Sequence, residues 1–216
     1  MPQAPAPLIL AVDGPAASGK GTIARALGRH FGLPHMDTGL LYRSVALALF
    51  RFGGDPGNAF EAARAAHDLD KIDPADEELR SEVVGSIASR IAAYPEVRAA
   101  LLDKQRAFAS QPGGAVLDGR DVGTVIAPDA TVKLFVTASA EVRARRRLKE
   151  LEARAMPSHY DDVLADIHAR DERDAHREAA PLIAAADAIL LDTSALSADE
   201  AITEAIRLVE SALTAA

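Results

Sequence analysis

The 216-residue chain is 49% hydrophobic, which suits one compact core with small appended parts rather than two independent units. It has no cysteine, which excludes disulfides and cysteine-bound zinc, and its net charge of −8 argues against broad attraction to nucleic acid or anionic lipid. Arginine supplies 19 of its 24 basic residues, and arginine can grip phosphate or carboxylate through two parallel hydrogen bonds.

The first seven residues lack a basic region, and the apolar run that follows is too short to cross a membrane. No export signal and no membrane partner are expected, and a cytoplasmic location is. Residues 7–13 form a short apolar run that reads as a buried strand ending at Asp13. Directly after it stand Gly14, Pro15, Ala16, Ala17, Ser18, Gly19, Lys20, Gly21 and Thr22, spaced as a glycine-rich phosphate loop. Glycines let the backbone turn tightly and aim successive N–H groups at one anion, while Lys20 adds a mobile cation. Apolar Ile23, Leu27 and Phe31 follow at helical spacing, so a helix brings its positive dipole end to the same point. Gly21 occupies the place where a Ser or Thr ordinarily binds magnesium, and Thr22 comes one residue later.

Further strands are expected at 115–118, 131–136 and 188–192, with a short extended piece at 34–36 as a fifth. Helical patterns occupy 39–52, 76–93, 96–109, 141–154, 161–175 and 197–213, and Gly and Pro break them at 53–57, 111–114 and 156–158. This alternation predicts an α/β fold, a parallel sheet with helices on both faces. The two charged helices around the last break are expected to form either a movable cover or an ordinary surface hairpin.

Three further segments carry chemistry. In Asp37-Thr38-Gly39-Leu40-Leu41-Tyr42-Arg43, Thr38 is placed to cap a helix and Arg43 to hold an anion one turn in. Asp118-Gly119-Arg120-Asp121 follows a strand, which puts Arg120 and Asp121 at the sheet's carboxyl edge beside the loop. Arg170, Arg173, Asp174 and Arg177 share one face if their helix persists, and Arg143, Arg146 and Arg147 cluster on the helix before. The six histidines do not assemble a metal site by spacing, and covalent catalysis is not expected, because no cysteine and no G-x-S-x-G elbow is present. A GTP-driven switch is disfavoured by the lack of D-x-x-G and N-K-x-D.

The segments G-P-A-A-S-G-K-G-T, D-T-G-L-L-Y-R, D-G-R-D-V-G-T and R-D-E-R-D-A-H-R, with I-A-A-Y-P-E-V-R between the second and third, closely resemble those of the bacterial cytidylate kinases over nearly the whole chain. The resemblance implies a single-domain P-loop kinase, its doubly wound sheet of about five strands flanked by an acceptor-binding region at about 38–110 and a lid at about 142–173. It implies transfer from ATP, with Mg2+, to CMP or dCMP by a monomer, with UMP, AMP or another small acceptor, or a regulatory protein without turnover, as the alternatives. It further implies that Thr38, Arg43, Arg120 and Arg177 hold the acceptor, the three arginines on its phosphate, while Ser89, Arg98 and Asp121 read cytosine. Arg170 and Asp174 would contact the sugar hydroxyls, and Arg146, with Arg143 or Arg147, would close over ATP. Lys20, Arg43, Arg120, Arg146 and Arg177 would be the catalytic set, and no residue would serve as a dedicated metal ligand. One departure stands out: residues 70–83 are short and polar, so a small β-rich insertion common in bacterial members looks trimmed.

Overall fold

A five-stranded parallel sheet forms the centre of the computed structural model, which describes residues 7–156 and 158–215. Strands β1 (Leu8–Asp13), β2 (His35–Asp37), β3 (Gly114–Gly119), β4 (Val132–Thr137) and β5 (Ile189–Asp192) lie in the order β2-β3-β1-β4-β5. Alternation along β1 decides which face each helix covers. Leu10 and Val12 pack with Ile23 and Leu27 of α1 (Lys20–Phe31), and Val209 of the C-terminal helix belongs to the same cluster. Ala11 points the other way, toward Leu117 and Val122. Register brings Asp13 opposite Gly119 and Asp37 opposite Asp118, so the loop after β1 and the ends of β2 and β3 meet at one carboxyl edge.

The chain between β2 and β3 builds a separate helical core from α2 (Thr38–Arg51), α3 (Ala59–Ala66), α4 (Glu82–Ile91) and α5 (Pro95–Ala109), with Val45, Leu49, Leu79, Ile91 and Leu101 at its centre. Helix α3 departs from the sequence expectation, which placed nothing there. Asn58 caps it, accepting from the N–H groups of Phe60 and Glu61, while Glu61 accepts from the Asn58 amide in return. The single helix expected at 76–93 is divided. Residues Glu77–Arg80 make one 3₁₀ turn, and the Ser81 hydroxyl then accepts from Val84 N–H to start α4 afresh. Residues 70–83 hold no strand among the described residues, as their polarity suggested.

Beyond β4, α6 (Ala140–Glu152) and α7 (Tyr160–His176) pack on each other through Ala144, Leu151, Val163 and Ile167, with Ala16 and Ala17 of the loop against the same cluster. The predicted break falls between them, and its Pro157 lies outside the described residues, as do Met1 to Ala6, on which the export expectation rested. Helix α8 (Ala198–Ala215) closes the β4–β5 side. Among the described residues no helix is long and apolar enough to cross a membrane.

Candidate active site

The loop between β1 and α1 is held in a shape that only its sequence permits. A Cβ on Gly14 would stand 2.0 Å from the Val136 carbonyl oxygen, and Gly19 turns the chain at φ 90° to open α1. Ala17 also lies in the left-handed region, at φ 58°, a costly place for a residue with a side chain. The Ser18 hydroxyl is buried without a hydrogen-bond partner among the described residues. Lys20 begins α1, its ammonium 3.5 Å from the Pro15 carbonyl. Burial first, then the positive charge of Arg120, brings Lys20 down from 10.5 to about 8.

A cavity of about 780 Å³ opens in front of this loop, with Ala16, Ala17 and Lys20 on one side and Arg43, Arg120 and Arg170 among its other walls. Asp37, not Thr38, caps α2, accepting from Leu40 N–H at 3.1 Å. Thr38 instead donates to the Asp118 carbonyl at 2.8 Å, an approach that Gly119 permits because a Cβ there would sit 2.4 Å from the threonine oxygen. Arg43 donates to the carbonyls of Leu79 and Ser81, and its guanidinium lies across Gly85, where a Cβ would come within 2.9 Å of it.

Arg120 donates from Nε to Asp174 at 2.8 Å. Arg170 lies alongside with a buried Nε that has no partner among the described residues; burial, then the charge of Arg120, holds its guanidinium well below the usual arginine range. Asp174 offsets part of this crowding of positive charge, and a bound anion would offset more. At the other end, the Asp121 carboxylate takes Arg98 on one oxygen and Arg177, at 3.4 Å, on the other. Ser89 faces Arg173 Nε at 3.4 Å, and Arg98 lies 5.9 Å from the centre of the Tyr42 ring. Polar groups that can read one edge of a flat heterocycle, Ser89 and Asp121, therefore line the same cavity as the cations Lys20, Arg43, Arg120 and Arg170.

The comparisons with known proteins bear on this arrangement. The cytidylate kinase family model matches residues 10–211. The chain belongs to the cytidylate kinase family. A cytidylate kinase of Azorhizobium caulinodans is 58% identical over 95% of this chain and 99% of that one, and one of Xanthobacter autotrophicus is 57% identical over 94% and 97%. A solved structure of an uncharacterized protein from Eubacterium ventriosum covers 94% of this chain and 99% of its own, with a TM-score of 0.56 at 14% identity, a likeness of fold alone. Cytidylate kinase membership makes the protein an enzyme.

Of the residues expected to form the site, Ala16, Ala17, Lys20, Gly21, Thr38, Arg43, Ser89, Arg120, Asp121, Arg170, Asp174 and Arg177 line this cavity. Arg98 stands behind Asp121, also donating to the Ala92 carbonyl. Arg146 reaches the opposite side of the loop, donating to Thr193 Oγ1, the Thr193 carbonyl and the Ser18 carbonyl. Arg143 has its guanidinium joined to Asp171 and to the Ala16 carbonyl. Helix α7 stops one residue short of the expected face, so Arg177 is its extended C-cap and returns to the site by donating to the Ala180 carbonyl at 2.6 Å. Sequence reading gave no role to Asp13, whose carboxylate accepts from Val122 and Gly123 N–H and so anchors the wide turn after Asp121. It also gave none to Gly85 or His35, single residues with no motif around them.

Proposed function

We propose that the protein transfers the γ-phosphoryl group of ATP to CMP and dCMP, the reaction of its family. The observation that carries this reading is the mutual crowding of Lys20, Arg120 and Arg170 between an anion-binding loop and a polar base pocket. Gly14 to Thr22 cradle the donor's phosphates. Arg43, Arg120 and Arg177 hold the acceptor's phosphate, Arg170 and Asp174 the sugar hydroxyls, and Ser89, Asp121 and Arg98 the cytosine edge. Arg146, at the loop's far side, serves the donor. Transfer then needs two anions held in line while charge spreads over the moving group, and no general base, since the attacking phosphate oxygen is already ionised.

Water must be kept from ATP, and α6–α7, within residues 142–173, acts as the lid over an acceptor region at about 38–110. Contacts from Arg147 to Glu82 and from Arg154 to the Arg80 carbonyl support this, because they join lid and acceptor region directly. Among the described residues no three His, Asp or Glu groups gather to hold a metal, and the Thr22 hydroxyl accepts from Arg25 instead. Magnesium would come with ATP and would supply charge neutralisation at the phosphates, with Thr22 at most a minor ligand. The reading places the protein in the cytoplasm, as a monomer in pyrimidine nucleotide metabolism. A coupled ADP-release assay with and without CMP tests it: ADP should form only with CMP, and basal hydrolysis indifferent to CMP would contradict it.

Two outcomes follow from single groups. Because Lys20 in the free protein is held near 8, kcat/KM for ATP should fall about tenfold per pH unit above that value, while kcat at saturating ATP stays level further, the bound polyphosphate having retained the proton. The unfolded chain binds more protons than the folded one between about 8 and 10.5, so this lysine's contribution to stability rises with pH across that window. Gly85→Ala displaces the Arg43 guanidinium from its two carbonyls. It should raise KM for CMP severalfold while the removal of an interior helix glycine stabilises α4 by about 0.5–1 kcal/mol, a split that steady-state kinetics and thermal melting read separately.

A further inference from the structure

His35 lies outside the cavity, behind Asp118, and its Nε2 is 2.7 Å from Asp118 Oδ1. A carboxylate can only accept, so the imidazole donates. Only 4% of the Asp118 side chain is exposed, and its second oxygen turns toward the first turn of α1, 3.5 Å from where a Gly21 Cβ would stand. Asp118 shares the cavity wall with Lys20, yet Lys20 forms no ion pair among the described residues. Two glycines of α1 make room for this arrangement. Gly21 leaves space for the carboxylate, and Gly28 lets the turn into β2 approach, since a Cβ there would meet the Leu33 carbonyl at 3.0 Å and His35 Cβ at 3.5 Å. An interior helix glycine is less favourable than alanine, so the close packing of α1 on this pair comes at some cost to the helix.

We infer that His35 is a positioning residue for phosphoryl transfer, holding the Asp118 carboxylate in place so that it does not swing onto Lys20 and neutralise the cation that the phosphates need. Asp118 already acts on Lys20 as a nearby opposite charge, so an untethered carboxylate would be drawn toward it. The inference rests on the phosphoryl-transfer reading, and it adds a residue that does not touch substrate. His35→Leu, which keeps bulk and loses the donor, is compared with His35→Gln, whose amide nitrogen reaches the place of Nε2. Both are made with and without Asp118→Asn, and kcat, KM for ATP and CMP, and Tm are measured.

His35→Leu should lower kcat at least about tenfold with KM for CMP little changed, and His35→Gln should restore most of it. In the Asp118→Asn background His35→Leu should have no further effect, because no charged carboxylate remains to be released. An unchanged kcat in His35→Leu, a loss that His35→Gln does not rescue, or an equal further loss in the Asp118→Asn background would overturn the proposal alone. Absence of CMP-dependent turnover in the wild type would instead overturn the transfer reading on which it stands.

Discussion

Lys20→Met is expected to lower kcat about 10²–10³-fold with every acceptor, while Tm stays level or rises. Two features of the site combine in this result. Catalysis needs a fixed positive charge aimed at the phosphate oxygens where charge develops, and the loop amides alone supply only partial charges. In the free protein, however, that charge sits against Arg120 and Arg170 with burial opposing it, so the folded state disfavours the ammonium. A neutral side chain of similar length removes this penalty and the catalytic charge together. A drop in Tm with little change in kcat would assign Lys20 to the fold. A loss confined to CMP would assign it to the acceptor rather than the donor.

Asp121→Ala is expected to be the most disruptive change in the base pocket, and in two separable ways. The carboxylate is the shared partner of Arg98 and Arg177, and only 6% of its side chain is exposed. Removing one member of a buried ion pair leaves an uncompensated charge, at a cost of about 3–5 kcal/mol. The same carboxylate is the acceptor suited to the exocyclic amine of cytosine. A hydrogen bond to a charged group is worth about 1.5–3 kcal/mol, so KM for CMP should rise about 10- to 100-fold. Adding Arg98→Met should recover part of the stability, because one stranded guanidinium is gone, without recovering CMP selection. Denaturant melts and acceptor kinetics on the single and double variants separate the two. Full recovery of both would make the pair structural only.

How far the site was legible in the sequence depended on how far apart its partners lie. The phosphate loop was readable because Gly14 to Thr22 are contiguous and their chemistry is backbone chemistry. Arg43 and Arg120 were readable in short segments that follow β2 and β3, where parallel topology sends them to one edge, and Arg170 and Arg177 by their spacing along α7. What escaped was pairing across distance. His35 meets Asp118 across 83 residues, and only the register of β2 on β3 brings them together. Arg43 needs Gly85 beneath it, a relation between two helices that no period within either one announces.

Local rivalry explains the other differences. Asp37 and Thr38 can both cap, and Asp37 wins because the threonine hydroxyl is drawn to the Asp118 carbonyl. Helix α3 carried a legible sign, Asn58 followed three residues later by Glu61, but at eight residues it offered too little periodicity to stand out beside the longer helices. Arg146 lies in α6, within the helix expected at 141–154, yet which way it turns is decided by Thr193, far along the chain.

One cavity is proposed to pair a donor's polyphosphate with a cytosine nucleotide. Steady-state turnover with CMP, dCMP, UMP and AMP, at fixed ATP and in wild-type protein, tests it most directly. CMP and dCMP should give the highest kcat/KM, with UMP weaker because its base presents a carbonyl where Asp121 requires a donor, and AMP weakest. AMP exceeding CMP would contradict the assignment of Ser89, Arg98 and Asp121, and equal turnover with all four would leave the pocket without the selectivity its geometry demands.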